Sequence, residues 1–228
     1  MIQLNTYPGW KEWKGKALAQ TLNFDEPYPL PSDKIQDNFR FSSEIERQHA
    51  VVIQYLGLVQ TIQTLKDCEF YFRRYPFRGL PMSRSTHVTN VCEMYFGRFY
   101  EFKERIKKFF EAVKAVSPQH GLDIARFIKL YEKEFDQELR TRHRVHHNSR
   151  FEDIAIDRVF LTESMAADPK QFGWKRRHLA DYRTVTKQWI LRVRQRGARL
   201  DEFMEAIAGS VIASCPFISR APEGHDEH

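Results

Sequence analysis

The stretch VTNVCEMYFGRFYEFKERIKKFFEAV, residues 88–113, decides the fold of this chain. Its apolar side chains recur at intervals of three and four, the spacing that places them on one face of an α-helix. Further aromatic residues, Phe96 and Tyr100, lie outside that stripe. A helix that is apolar on more than one face is central in a fold or lies at an interface, so the stretch predicts a helix that is central or lies at a dimer interface. The stripe consists of Val88, Val91, Cys92, Tyr95, Phe99, Phe102, Ile106, Phe109, Phe110 and Val113.

Three other segments carry the same helical periodicity. The first begins with Ser-Glu-Ile-Glu at 43–46, whose spacing is that of a capping box and predicts a helix start at Ser43. Gly197 is a candidate bend in the last segment. Amphipathic helices joined by short or medium loops predict an all-α fold like a four-helix bundle. The four helices are predicted over 43–72, 84–115, 122–146 and 176–212.

The two ends of the chain differ from this helical part. Prolines and anchoring aromatic residues over 1–41 predict an irregular N-terminal arm that packs on the core. The helical domain is expected over 42–215, and the polar residues 216–228 are expected to form a flexible tail. Within the domain, residues 148–174 are less regular, and the apolar stretch from Phe151 to Leu161 is either strand-like or a short helix.

The net charge of +6 is concentrated in one region. From Lys170 to Arg199 there are ten basic residues and one acidic residue, Asp181, and the rest of the chain has 26 basic and 29 acidic residues. A concentrated basic patch suggests an anionic partner such as nucleic acid. The alternative is a solvated helix face without a ligand.

The cysteines and the hydropathy of the sequence indicate the cellular compartment in which the protein is expected. The three cysteines are isolated and odd in number, which favours a reducing cytoplasm and argues against disulfides or a Cys-based metal site. Cys68 and Cys92 are expected to be small core residues. No apolar run reaches the length of a membrane span, and the N-terminus lacks the features of a signal peptide. A cytoplasmic protein without a membrane partner is therefore expected.

The sequence contains none of the common cofactor motifs. It has no Gly-rich phosphate loop, no Gly-x-Ser-x-Gly and no Cys-x-x-Cys. Glu46 and His49 have the Glu-x-x-His spacing of di-iron bundles, but a second such pair is missing. No cofactor and no metal ligands are therefore expected.

Residues 140–147, RTRHRVHH, combine three arginines and three histidines at the end of the predicted third helix. Arginine is a permanent planar cation suited to phosphate, and histidine exchanges a proton near neutral pH. The stripe Tyr131, Phe135, Leu139 continues into Arg142 and His146, so that polar groups take over an apolar face. The alternative is a basic helix end that is exposed to solvent and offsets the helix dipole.

The segment Arg142-His143-Arg144-Val145-His146-His147 resembles the motif of the HEPN superfamily (higher eukaryotes and prokaryotes nucleotide-binding): an arginine, a polar residue, three more residues, then histidine. Residues 75–84, YPFRGLPMSR, followed by an aromatic helix, also resemble bacterial HEPN-like proteins. The resemblance covers residues 42–212. It implies a helical bundle that acts as a homodimer and cleaves RNA without a metal, at a site where the motifs of two protomers face each other.

The resemblance also implies roles for individual residues. Arg142 would stabilise charge on the phosphate, and a histidine would act as general acid or base. Such a ribonuclease would be a toxin or defence effector, with an antitoxin or another protein as partner. The alternative is a non-catalytic module that binds RNA, nucleotide or protein through the same surface. The catalytic candidates are Arg142, His143 and His147, with His146 and Arg140 as alternative registers, and the RNA-binding candidates are Arg144, Lys175, Arg176, Arg177 and Arg183.

His87 lies early in the predicted second helix, near Arg84. It is a candidate to point into the same cleft as the Arg/His segment. A simple surface histidine is the favoured interpretation.

Overall fold

The structure, a computed structural model, describes residues 43–147, 151–168 and 172–219. Every regular element in these ranges is a helix, and they contain no strand, so the predicted all-α class is confirmed. The predicted N-terminal arm, the side chains of the capping box at 43–46 and residues 220–228 of the expected tail lie outside the described part. No helix in the described ranges combines the length and apolar character that crossing a bilayer requires.

The helices follow the predicted pattern in three of four cases. The first two and the last long helix begin and end within two residues of their predicted bounds. The segment from Phe151 to Leu161 becomes helical at Ile154, and Asp153 is the N-cap residue. The described ranges contain α1 (Ser43–Arg73), α2 (Arg84–Val116), α3 (Ile124–Glu134), α4 (Asp136–His147), α5 (Ile154–Ala167), α6 (Trp174–Ser214) and α7 (Pro216–Ser219).

The predicted third helix over 122–146 is wrong as a single element, because it divides into α3 and α4 at Phe135. Nη2 of Arg196 donates to the carbonyl oxygen of Glu134 at 2.7 Å. A side chain that takes a carbonyl from the hydrogen-bond ladder is a known cause of such an irregularity. Helical bonds persist beside the break, from the Phe135 amide to Tyr131 and from the Leu139 amide to Phe135, both at 3.0 Å.

The start of α2 is capped twice. The Ser83 hydroxyl accepts a hydrogen bond from the Thr86 amide at 3.1 Å, as expected of an N-cap residue. The carboxylate of Glu163, on α5, accepts from the amides of Arg84 and Ser85 at 2.9 and 3.1 Å. It also accepts from the Ser85 hydroxyl at 2.6 Å. A side chain distant in sequence therefore satisfies the first amides of the central helix.

The chain forms two compact units. In the described part, the first unit comprises residues 43–59, 104–128 and 201–219. Aromatic pairs such as Tyr55 with Phe109 pack in its core. Cys215 and Ile218 are fully buried, so the expected flexible tail begins with a packed helix, α7.

The second unit comprises residues 60–103 and 129–200 of the described part. Trp189 lies in its core, with ring centroids 5.5 to 6.0 Å from those of Phe72, Tyr95, Phe96 and Phe151. Cys68 and Cys92 are fully buried, which confirms their assignment to the core.

The last long helix, α6, continues through Gly197 without interruption. A Cβ atom at this position would lie 3.3 Å from Cγ of Lys66 on α1. The glycine therefore allows α1 and α6 to approach closely in the second unit.

Candidate nucleic-acid interface

Arg142 is held by an aromatic ring. Its guanidinium lies over the ring of Tyr100, with Cζ 3.9 Å from the centroid, and the residue is half-buried. Within the described ranges no carboxylate lies at ion-pair distance from it. Stacking occupies the face of the guanidinium and leaves the N–H donors at its edge for an anion. Arg142, which the sequence predicts as a phosphate ligand, is thus oriented by the ring, and no carboxylate in the described ranges neutralises its charge.

The other members of the Arg/His segment lie in different environments. Arg140 is exposed and pairs with Asp136 at 2.8 Å, one turn earlier on α4. His143 and Arg144 are exposed. His146 and His147 belong to the backbone of α4, and their side chains lie outside the described part. Of the two candidate arginine registers, the one that begins at Arg142 therefore has the positioned cation.

The stripe that leads to this segment differs from its prediction. Tyr131 and Phe135 are fully buried, but the next buried residues are Glu138 and Thr141, while Leu139 is half-buried. The side chain of Glu138 is only 2% exposed. A buried carboxylate needs a cationic partner. The arginines nearest in sequence do not provide it, because Arg140 pairs with Asp136 and Arg142 lies over Tyr100.

The partners of Glu138 come from α6. Arg196 donates to both carboxylate oxygens at 2.7 and 3.0 Å, and Arg192 donates at 3.3 Å. Glu134, on α3, pairs with Arg196 and Arg199 at 3.2 and 3.3 Å. These three arginines of the basic segment therefore stabilise the fold, which sequence charge alone did not reveal.

Ion pairs divide the remaining basic residues of α6 into two groups. Arg177 pairs with Asp181 at 2.9 Å, and Arg194 pairs with Glu69 at 2.8 Å. By contrast, three predicted RNA-binding residues are exposed and have no carboxylate partner within the described ranges. They are Lys175, Arg176 and Arg183.

A cavity of about 370 Å³ lies where residues 72–84 meet α6 in the second unit. Its lining contains no acidic side chain. Apolar side chains, including Phe72, Leu179 and Ile190, line the rest together with Tyr75 and Tyr182. Five cationic side chains line it: Arg73, Arg78, Arg84, Arg183 and Lys187. We call the space that these cationic and apolar side chains line the basic cavity.

Arg84 is fixed at the wall of the basic cavity by two aromatic rings. Its Cζ lies 4.9 Å from the ring centroid of Tyr75 and 5.8 Å from that of Tyr182. Tyr75 is anchored in turn, because its hydroxyl donates to the carbonyl oxygen of Met82. Burial raises the pKa of Tyr182, so its hydroxyl stays protonated at neutral pH. The guanidinium thus lies against a pair of contacting rings, whose centroids are 6.4 Å apart.

His87 supports this region from within, and the favoured interpretation of it as a surface residue is wrong. It is buried, and its Nε2 lies 3.0 Å from the carbonyl oxygen of Tyr71. Its ring packs edge-on against Tyr75 and Phe77, with centroids 5.8 and 5.5 Å away. The histidine thereby holds the loop that carries Arg78.

A second buried pair lies beneath the start of α2. His178 is buried with its Nε2 3.8 Å from Glu163, and burial lowers the pKa of this histidine despite the nearby carboxylate. For Glu163, burial raises the pKa, but hydrogen bonds from Ser85 and Arg84 outweigh it and hold the pKa below its usual value. At neutral pH the pair is therefore a neutral imidazole beside a carboxylate.

The basic cavity was not predicted as a site. Its cations come from the end of α1, the Pro/Gly linker, the start of α2 and α6, where Arg183 and Lys187 are four residues apart. That spacing places both on one helix face and is the one signal in the sequence by which this pair could be found. No family model, no curated protein and no solved structure matches the chain.

Proposed function

We propose that this protein is a metal-independent ribonuclease of the HEPN type that acts as a cytoplasmic homodimer, as a toxin or defence effector. The observation that supports it is the guanidinium of Arg142, stacked at 3.9 Å on Tyr100 and without a carboxylate partner in the described part. Independence from metal follows from the resemblance of the Arg/His segment to the HEPN motif.

In the proposed reaction, Arg142 binds the non-bridging oxygens of a phosphodiester and stabilises the charge that develops there. One histidine of the segment, with His147 preferred and His143 and His146 as alternatives, takes the proton of the RNA 2′-hydroxyl. The 2′-oxygen then attacks phosphorus, and the bond to the 5′-oxygen breaks. A second histidine, from the partner protomer, protonates the leaving oxygen. The products are a 2′,3′-cyclic phosphate and a 5′-hydroxyl end.

The test is incubation of the purified protein with mixed RNA in EDTA. We expect cleavage that survives the chelator and products that end in a 2′,3′-cyclic phosphate. Arg142→Ala should reduce the rate about 10²–10³-fold. Replacement of the active histidine should reduce it about 10²–10⁴-fold. Arg158→Ala, at an exposed position on α5, is the matched control and should cleave at the wild-type rate.

Separate His143→Ala, His146→Ala and His147→Ala variants identify the histidine. Cleavage that disappears in EDTA, or that persists in Arg142→Ala and in all three histidine variants, would overturn the proposed mechanism.

The second candidate is a module that binds RNA, nucleotide or a protein such as an antitoxin without catalysis. Three exposed cations favour this candidate, because lysines and arginines contact phosphate backbones and these three have no carboxylate partner in the described ranges. They are Lys175, Arg176 and Arg183. Such a module would bind RNA with an affinity that falls steeply with salt and would leave the RNA intact. Intact RNA after prolonged incubation with a protein that binds it would favour this candidate.

A further inference from the structure

The basic cavity gathers four cations that have no ion-pair partner in the described part of the chain. Arg78, Arg84, Arg183 and Lys187 all line it, and within the described ranges no carboxylate pairs with any of them. Elsewhere on α6, arginines such as Arg177, Arg194 and Arg196 have acidic partners. Like charges that converge on one cavity repel one another, and a bound anion relieves that repulsion.

We infer that the basic cavity binds the terminal phosphate of a nucleotide, either free or at the end of an RNA strand. This goes beyond the proposed ribonuclease activity, because occupation of the cavity requires no cleavage and no residue of the Arg/His segment. With the second candidate function it shares only Arg183. Nothing in the inference depends on Arg142 or on the histidines of α4.

The amount of charge favours a terminal phosphate over an internal one. A phosphomonoester carries about −1.5 to −2 at neutral pH and has three strong acceptor oxygens. A phosphodiester carries a single charge. Arginine presents paired N–H donors that match phosphate oxygens, and three of the four unpaired cations are arginines. Several cations around one cavity therefore suit the more highly charged group.

The uncharged part of the lining suits the body of a nucleotide. The rings of Tyr75 and Tyr182 and the side chains of Leu179 and Ile190 form an apolar wall beside the cations. A base stacks on such rings and on the plane of an arginine. The volume of about 370 Å³ lies in the range of sites for small ligands.

The basic cavity is separate from the Arg/His segment. Both Arg84 and Tyr100, on which Arg142 stacks, belong to α2 and are 16 residues apart. At about 1.5 Å per residue, the helix places them about 24 Å apart along its axis. Binding at the cavity can therefore be measured without reference to cleavage.

The experiment is isothermal titration calorimetry of the full chain with matched ligands. Adenosine monophosphate is compared with adenosine and with inorganic phosphate. A tetranucleotide with a 5′-phosphate is compared with the same strand bearing a 5′-hydroxyl, and both are 2′-O-methylated so that they cannot form a 2′,3′-cyclic phosphate. We expect the phosphorylated member of each pair to bind at least about tenfold more tightly, the difference expected for one lost charge-assisted contact.

Variants locate the binding. Arg183→Ala and Lys187→Ala, both at exposed positions, should each weaken binding about tenfold and leave the melting temperature unchanged. Arg84→Lys keeps the charge but loses the planar fork, and it should weaken binding as well. Arg158→Ala is the control, because Arg158 is an exposed arginine on α5 that does not line the cavity. It should bind as the wild type does.

The outcomes distinguish a free nucleotide from an RNA end as the ligand. Tighter binding of the monophosphate than of the strand identifies a free nucleotide as the ligand, and the reverse identifies an RNA end. Equal binding of adenosine and its monophosphate, inorganic phosphate as strong as the nucleotide, or an equal loss in Arg158→Ala would each overturn the inference. Binding without any ribonuclease activity would leave the inference standing and count only against the proposed catalysis.

Discussion

Glu138 shows how one buried carboxylate organises several arginines. Its side chain is nearly inaccessible and receives hydrogen bonds from Arg192 and Arg196. Both arginines also lie over aromatic rings, Arg192 over Trp189 and Arg196 over Phe135. A charge in this position is tolerated only because it is paired and hydrogen-bonded.

Replacement of Glu138 by Ala should therefore destabilise the fold strongly. Removing one partner of a buried pair leaves the others uncompensated, at a cost on the order of 3 kcal/mol of unfolding free energy. We place it at the lower end of the known range because both arginines keep some contact with water. Urea denaturation measures the change.

The matched control is Glu132→Ala. Glu132 pairs with Lys103 at 3.3 Å but is 45% exposed, so its loss should cost less than about 1 kcal/mol. Similar losses in the two variants would show that burial of Glu138 is unimportant.

Among the helices, α2 depends on a cap that comes from another element. Glu163 on α5 accepts hydrogen bonds from the amides of Arg84 and Ser85, at the point where α2 begins beside the basic cavity. The position of the Arg84 backbone is thus fixed by a carboxylate 79 residues later in the chain.

Glu163→Ala should cost about 2 kcal/mol of unfolding free energy at neutral pH, because it removes a cap and charge-assisted hydrogen bonds. The pKa of Glu163 is lowered in the folded state, so this stabilisation is present above pH 4.5 and is lost as the pH falls below it. The difference between wild type and variant should therefore shrink in acid. Urea denaturation at several pH values measures it.

Glu152→Ala, at an exposed position just before α5, is the control and should change stability by less than about 0.5 kcal/mol. A Glu163→Ala difference that is constant down to the lowest pH at which the protein folds would contradict the role of the ionised carboxylate.

Periodicity predicted the helices well where apolar residues alone decide them. The bounds of α1, α2 and α6 follow from stripes of side chains that are buried in the structure. The break between α3 and α4 was not predictable in this way, because it involves a bond from Arg196 to a carbonyl 62 residues earlier. The basic cavity was missed for the same reason, since its cations come from two separate segments.

For the whole molecule, we expect a homodimer that includes the end of α4. The motivation is the exposed, basic end of a helix whose preceding turns are buried, together with the HEPN-like motif. Light scattering should give twice the chain mass of 27.2 kDa. Arg144→Glu, at an exposed position on the segment that contains Arg142, should keep the protein dimeric at lower concentrations than the wild type, because it places a carboxylate near the partner's basic segment, where like charges otherwise face each other.

Arg158→Glu on α5 is the control and should leave the mass unchanged. A wild-type mass of 27.2 kDa at concentrations well above those used for cleavage would contradict the dimer.

The continuity of α2 has a consequence for the proposed binding and cleavage of RNA. One unbroken helix carries Arg84 at its start and Tyr100, the support of Arg142, about 24 Å further on. A helix is stiff over this length, so the backbones of Arg84 and Tyr100 stay at a fixed separation. A strand gripped by its terminal phosphate at the basic cavity would then meet Arg142 at a set number of nucleotides from its end. In that case α2, besides contributing to the core, would set the distance between the bound end of an RNA strand and the position at which the strand is cleaved.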